Sequence, residues 1–271
     1  MGVLDCRNDA LVKVLNGYGY NPIHLPRSGF EPPEIYTYDT EKLRRWGRLA
    51  TAVPAGALPD TLHENEAADI AHKQTNRMGA KAAVSFLEEA LKLLGVGGAP
   101  KLDLSFTRGS DVTFSFTGVS YKGLDPADIG AALRKGFDPA GLNPKYIDNE
   151  LVYIAYEYLY ADSVDMTMVD GINAGVDLKA IKLDGFVDLG GNADIDVKSS
   201  TSLTFKGRGA KAVFASKVGK VQREGKRFSF DAVEVLGAGF APKEDEKATP
   251  VLLCRGEILA VEDFTASVRR N

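Results

Sequence analysis

Few side chains in this sequence could do chemistry, and their spacing argues against catalysis. Three histidines, His24, His63 and His72, stand in 271 residues, and no HExxH, GxSxG or phosphate-binding GxxxxGK[ST] pattern accompanies them. His63 and His72 flank a predicted helix start at a separation that does not place both on one face, so they read as surface or capping residues. The two cysteines, Cys6 and Cys254, carry no CxxC or Cys/His spacing, which disfavours zinc and thioredoxin-type chemistry. Gly95, Gly97 and Gly98 end a predicted helix, whereas a dinucleotide site needs its glycines to open one. The expectation is a protein that is not an enzyme and needs no metal or diffusible cofactor.

Two features remain. Lys206, Arg208, Lys211, Lys217, Lys220, Arg223, Lys226 and Arg227 stand against Glu224 alone, a net +7 in a chain whose total is −4. Such a run is either a solvated strand face with basic turns or a surface for anionic phosphate. Among functional partners anionic lipid headgroups fit best, because polybasic segments gain ~1 kcal/mol per charge near them. Nucleic acid is disfavoured by the acidic total and by the lack of interleaved aromatics that stack bases. Exposed charges contribute little to stability, so replacing Lys217, Lys220 and Arg223 with glutamate is expected to leave the monomer folded. The second feature is Cys6, beside apolar Val3 and Leu4 in Met1-Gly2-Val3-Leu4-Asp5-Cys6. It is either a packed thiol or an acylated one. Gly2 could open a myristoylation signal, but position 6 is cysteine rather than serine or threonine, so S-palmitoylation is the better match.

The elements that must position these residues follow from periodicity. Residues 8–16 predict a short amphipathic helix stopped by Gly17 and Gly19, with an extended piece from Tyr20 to Leu25. The proline-rich stretch from Pro26 to Pro59 predicts an irregular or edge crossing, with Lys42–Val53 as its strand. Thr61 and Glu64 form a capping-box pattern ahead of Ala67, Ile70, Ala71, Met78, Ala82, Phe86, Ala90 and Leu94, which predicts one long helix ending at Gly95. A hairpin follows, residues 102–106 and 112–116 around a turn at 108–111, with a bulge at Gly118. Asp125-Pro126 opens a second helix through Leu133. Even positions from Val152 to Met168 predict a long tyrosine-rich strand broken near Asp162. Residues 193–205 alternate most cleanly: Ile195, Val197, Leu203 and Phe205 share one face, with Asp194, Asp196 and Lys198 on the other. Residues 210–218 and 228–235 add two further segments.

Residues 237–250 are rich in charge and bounded by glycine and proline, which predicts an exposed linker. The following tail regains Leu252, Leu253, Ile258, Leu259 and Phe264, too apolar to float and too short to be a domain, so it is expected to dock on the body. With 44% apolar and 26% charged residues the chain can bury a sizeable core. No basic and apolar leader or 18-residue apolar run is visible, so a cytoplasmic resting protein is expected; a membrane strand of only ~9 to 11 residues would escape that scan.

The early cysteine, the short helix and then Gly19-Tyr20-Asn21-Pro22-Ile23-His24-Leu25-Pro26-Arg27 resemble the opening of bacterial gasdermins. The likeness extends to chain length and to the order of long helix, hairpin, tyrosine-rich strand, amphipathic strands, charged linker and apolar tail. It implies one α+β domain with a twisted, largely antiparallel sheet, packed helices and a short docked C-terminal tail. Residues 1–240 would be the pore-forming body, 241–250 a protease-sensitive linker and 251–271 an autoinhibitory peptide. It also implies a monomer that a partner protease cuts, that then assembles with its own copies and perforates the inner membrane, killing the host cell in antiphage defence. Cys6 would carry the family's palmitoyl group. On the residues alone, the strand at 193–205 serves a half-buried soluble sheet as well as a barrel, and a non-enzymatic scaffold that uses the basic run on anionic surfaces is the other reading.

Overall fold

The computed structural model turns the alternating segments into antiparallel sheet. It describes residues 18–39, 42–67, 75–78, 111–169, 193–199, 202–207, 209–232 and 262–263, together with Leu15. The strands among them are β1 Asn21–Arg27, β2 Glu34–Asp39, β3 Lys42–Arg48, β4 His63–Glu66, β5 Thr75–Met78, β6 Asp111–Thr117 and β7 Ser120–Gly123. Then follow β8 Val152–Ala161, β9 Ser163–Val169, β10 Ala193–Ser199, β11 Ser202–Gly207, β12 Ala212–Glu224, β13 Arg227–Ala232 and β14 Glu262–Asp263. Among the described residues they form a nine-stranded sheet, ordered β1-β12-β8-β2-β3-β14 with β13 on β12 and with β4 on β7 beside β8, and a five-stranded sheet, β10-β11-β9-β6-β5. The expected single sheet is therefore two. All the described pairings are antiparallel except β14 on β3.

Among the described residues two helices of more than one turn pack on the larger sheet's side of the chain, α1 at Pro126–Lys135 and α2 at Pro144–Asp148, giving the α+β class. α1 starts where the sequence places it, with Asp125 at the N-cap and proline in the first turn. It ends at Gly136, whose φ of 155° suits glycine. Ile129, Ala132 and Leu133 are buried on it, and Ile129 and Leu133 join Ile35, Leu49, Val152, Ile154, Tyr156 and Val221 in one core. Phe137 meets Phe228 edge-on at 5.1 Å, and Tyr156 meets Phe230 at 5.7 Å, which closes this core against β13.

β8 is the central strand, and the break near Asp162 falls where expected, dividing it from β9. The even positions do not share one face throughout. Register against β12 passes from Ala155–Val218 to Glu157–Lys217, leaving Tyr156 as an extra residue. Such a bulge inverts the alternation. Val152, Ile154 and Tyr156 accordingly face the α1 core, while Tyr158 joins Tyr153, Ala155, Phe30, Tyr36, Val213 and Val218 in a second core.

Several sequence expectations change. The long helix from residue 61 is not formed in its first part, because His63–Glu66 is strand β4 on β7 and Thr75–Met78 is strand β5 on β6. β4 is exposed along all four residues, so no apolar alternation marks it, and long-range pairing overrides the local capping pattern. The strand expected at Lys42–Val53 stops at Arg48, where a 3-10 turn at Leu49–Thr51 follows. β2, within the proline-rich stretch, lies inside the sheet between β8 and β3; the edge strand there is β1, which holds Pro22 and Pro26. Gly118 stands at φ 61°, and it links strands of different sheets rather than bulging within one. The helix at 8–16 apart from Leu15, the helix turns at 79–95, the first hairpin arm at 102–106 and the linker lie outside the described residues.

Candidate functional site

The alternation at 193–205 belongs to a hairpin, β10 and β11, and not to one crossing strand. Register pairs Ile195 with Phe205 and Val197 with Leu203, so these four keep one face despite the change of topology; beyond Val197 the register shifts and Ser199 meets Ser202. The rows continue across the sheet. Phe205 is opposite Val164, which is opposite Phe116; Leu203 is opposite Met166, which is opposite Phe114. Four strands thus carry two apolar rows. Between them runs a polar row of Asp196, Thr204, Asp165 and Ser115, tied where the Thr204 hydroxyl donates to the Asp165 carboxylate. The row of Phe205, Val164 and Phe116 packs on the larger sheet, since all three are buried and Phe116 stacks on Phe214 of β12 at 4.4 Å.

The basic run is less open than its sequence implies. Along β12, Lys217 lies directly opposite Glu157 and pairs with it at 2.7 Å, Lys220 pairs with Glu150 at 2.8 Å and Arg223 with Asp148 at 2.9 Å. Lys211 reaches Asp162 at 3.8 Å. Lys217 and Lys220 are only 28% and 18% exposed, so the expectation that glutamates there would leave the fold untouched is corrected. Lys206, Lys226 and Arg227 are exposed, and Arg208 lies outside the described residues. The acidic partners come from β8, α2 and the turns beside them, far away in sequence.

A cluster that sequence reasoning missed sits beneath the β3 edge. Glu34 is fully buried, bound by Arg45 from β3 and by the hydroxyls of Tyr158 at 2.8 Å and Tyr36 at 3.2 Å. The two tyrosine oxygens are 2.7 Å apart, and the Arg45 guanidinium lies 5.4 Å from the Phe30 ring centre. Burial above all, with the Glu34 charge adding to it, pushes both phenols well above the usual tyrosine range. The tyrosines of β8 and the basic β3 were visible signals; their convergence on one glutamate was not. Just outside, β14 lies parallel along β3, Glu262 opposite Arg44 and Asp263 opposite Arg45. The tail therefore reaches the body and covers a sheet edge there. Cys6 and the tail residues Leu252, Leu253, Ile258, Leu259 and Phe264 lie outside the described residues.

His63 is exposed and lies 3.2 Å from Asp125, the N-cap of α1, in keeping with a surface role. Among the described residues, no group of three or more potential metal ligands gathers and no helix is long and apolar enough to cross a membrane.

A family model described as the Bacterial Gasdermin Family matches residues 23–232. This chain belongs to the bacterial gasdermins, a family of pore-forming proteins. Gasdermin bGSDM of Piscinibacter sakaiensis is 58% identical over 267 residues, 98% of this chain and 100% of that protein. Gasdermin bGSDM of Vitiosangium sp. (strain GDMCC 1.1324) is 20% identical over 205 residues, 74% of this chain and 76% of that one. A solved bacterial gasdermin from Bradyrhizobium tropiciagri covers 82% of this chain and 90% of its own, at 14% identity and a TM-score of 0.49. The string from Gly19 to Arg27 that carried the resemblance runs into β1, the strand whose prolines suit the sheet edge in this gasdermin.

Proposed function

We propose that the intact chain is the resting, monomeric form of a pore former, restrained by its own C-terminal tail. A partner protease cuts the linker at 241–250, the tail leaves, and copies of the body assemble and perforate the inner membrane. The outcome is death of the infected host cell, an antiphage defence. The observation that supports this reading is the parallel pairing of Glu262–Asp263, two residues of the tail, with the side of β3 that β2 leaves free. The amphipathic rows of the five-stranded sheet support it, since β-barrel crossing needs that alternation. A chain ending at Pro250 should kill its host without protease, and an intact chain with a protease site engineered between Lys243 and Thr249 should release dye from anionic liposomes only after cutting. A truncated chain that accumulates as a harmless monomer refutes the restraint.

Lys206, Lys226 and Arg227, already exposed, are the first of the basic run to meet anionic headgroups; Arg208, Lys211, Lys217, Lys220 and Arg223 complete the run assigned to them from sequence. The scaffold reading, which needs the whole run as a standing patch, is weakened by the four carboxylate partners. Cys6 is the palmitoylated residue of this reading, its acyl chain held in an apolar groove of the resting form. One chain alone binds membranes marginally, so burial would keep the monomer off the bilayer. Intact mass of protein from the native host tests it: an unmodified mass, or full killing by Cys6→Ala, removes the assignment.

A further inference from the structure

The chain passes between its two sheets at one waist. β6 leads into β7 through Gly118, β8 into β9 through Asp162, and β11 into β12 through residues 207–211. β4 leaves toward β5 from Ala67, whose N–H binds the Val119 carbonyl at 3.0 Å, one residue beyond Gly118. The Asp162 N–H binds the Thr117 carbonyl at 2.8 Å. The first two passages are so close that a Cβ on Gly118 would overlap the Asp162 carboxylate, and the third turns so tightly that one on Gly207 would overlap its own Ala210 carbonyl. One side chain spans them. Lys211, leaving the third passage, donates to the Gly118 carbonyl at 2.7 Å and the Ser120 hydroxyl at 3.2 Å, and pairs with Asp162 at 3.8 Å.

We propose that Lys211 is the clamp of this joint, fixing the resting angle between the sheets, and that its release sets the rate at which the five-stranded sheet leaves the body. The second half rests on the pore-forming reading; the first does not. The apolar row of Phe205, Val164 and Phe116 is buried against the larger sheet, so it can meet lipid only if the sheets separate. All described passages between the sheets must turn together for that to happen, and a single ammonium on the third passage, hydrogen-bonded to the first and ion-paired with the second, opposes it. Its donors fit: of the three hydrogens an ammonium offers, the Gly118 carbonyl and the Ser120 hydroxyl accept two, and the Asp162 carboxylate stands at ion-pair distance. Lys211 is 40% exposed, so water can take over these bonds, which makes the clamp releasable.

The test uses the full chain with a protease site in the linker, as wild type, Lys211→Met, Lys211→Arg and Asp162→Asn. Hydrogen–deuterium exchange on uncut protein reads the joint, and dye release from vesicles of phosphatidylethanolamine and phosphatidylglycerol after cutting reads the opening. Lys211→Met should speed exchange of β9 and β11 amides about fivefold and dye release about fivefold, the size expected for a half-exposed charge-assisted hydrogen bond. Asp162→Asn should lie between, and Lys211→Arg should match wild type. Unchanged exchange in both Lys211→Met and Asp162→Asn overturns the clamp. Faster exchange with unchanged or slower release overturns its control of opening. If cut wild type releases no dye, the pore reading falls, and the exchange arm still decides the clamp.

Discussion

Alkaline pH should unfold this protein through its buried phenols. Tyr36 and Tyr158 are hydrogen-bonded to each other and to Glu34 in a site without water access, and burial, the largest cause, raises both above the ordinary tyrosine value. Tyr20 and Tyr160 are also raised, by burial first and then by the Glu157 hydrogen bond for Tyr20 and the Glu31 charge for Tyr160. An unfolded phenol loses its proton near pH ~10, while these folded ones keep theirs, so above that point the native state binds more protons and stability falls as pH rises. At about pH 11 each fully buried phenol contributes roughly 1.4 kcal/mol of loss, so Tyr36 and Tyr158 together remove about 3 kcal/mol from a total that is ordinarily ~5–15 kcal/mol. Urea unfolding between about pH 8 and pH 11 measures the slope, and absorbance at 295 nm counts ionised phenols. At least four of the ten tyrosines should stay silent at 295 nm until the far-ultraviolet dichroism is lost. A Tyr36→Phe/Tyr158→Phe chain keeps every other group while removing the two phenols, so the difference in slope isolates the tyrosines. If all ten titrate together near pH ~10 with the fold intact, the burial argument is wrong.

Gly219→Ala places a methyl group into the Phe230 ring and 2.8 Å from the Asp231 carbonyl, so urea unfolding should find it less stable by about 1–3 kcal/mol. Lys220→Glu sets a carboxylate against Glu150 at a mostly buried position and should cost about 1–2 kcal/mol, whereas Lys220→Met should cost under ~1 kcal/mol; equal values in a thermal melt would mean the pair carries no weight.

The sequence discloses an element when that element has one buried side and local stops. α1 has both: Asp125-Pro126 before it, Gly136 after it, and an apolar stripe between. β8 and β9 show their alternation and their break at Asp162, and Ile195, Val197, Leu203 and Phe205 lie on one face even though they belong to two strands. What stays hidden depends on distant partners. β4 is exposed throughout and exists only because β7 is beside it, so its helix-like neighbourhood reads as helix. Tyr156 looks like one more even position, and only the register of β12 makes it the extra residue that turns Tyr158 to the other core. The same limit governs the basic run: Lys220 and Glu150 are 70 residues apart and Arg223 and Asp148 are 75 apart, distances at which local charge patterning says nothing about pairing.

The covering of β3 also bears on how firmly the tail can hold. Two residues of parallel pairing provide few hydrogen bonds, and each is worth only ~0.5–1.5 kcal/mol net, so β14 by itself is a weak ligand for the edge. What strengthens it is connection: a tethered segment rebinds at an effective concentration in the millimolar range, a benefit that ends when the tether is cut. Residue types add to the match, since β3 carries Lys42, Arg44, Arg45 and Arg48 and β14 is Glu262-Asp263. The body does not depend on that strand for its own order, because Arg45 is already engaged by Glu34 and β3 by β2 along its length. On the proposed reading, a weak strand on a self-sufficient sheet, made effective by its covalent link, would be a restraint that one proteolytic cut removes while leaving behind a folded body with an open edge at β3.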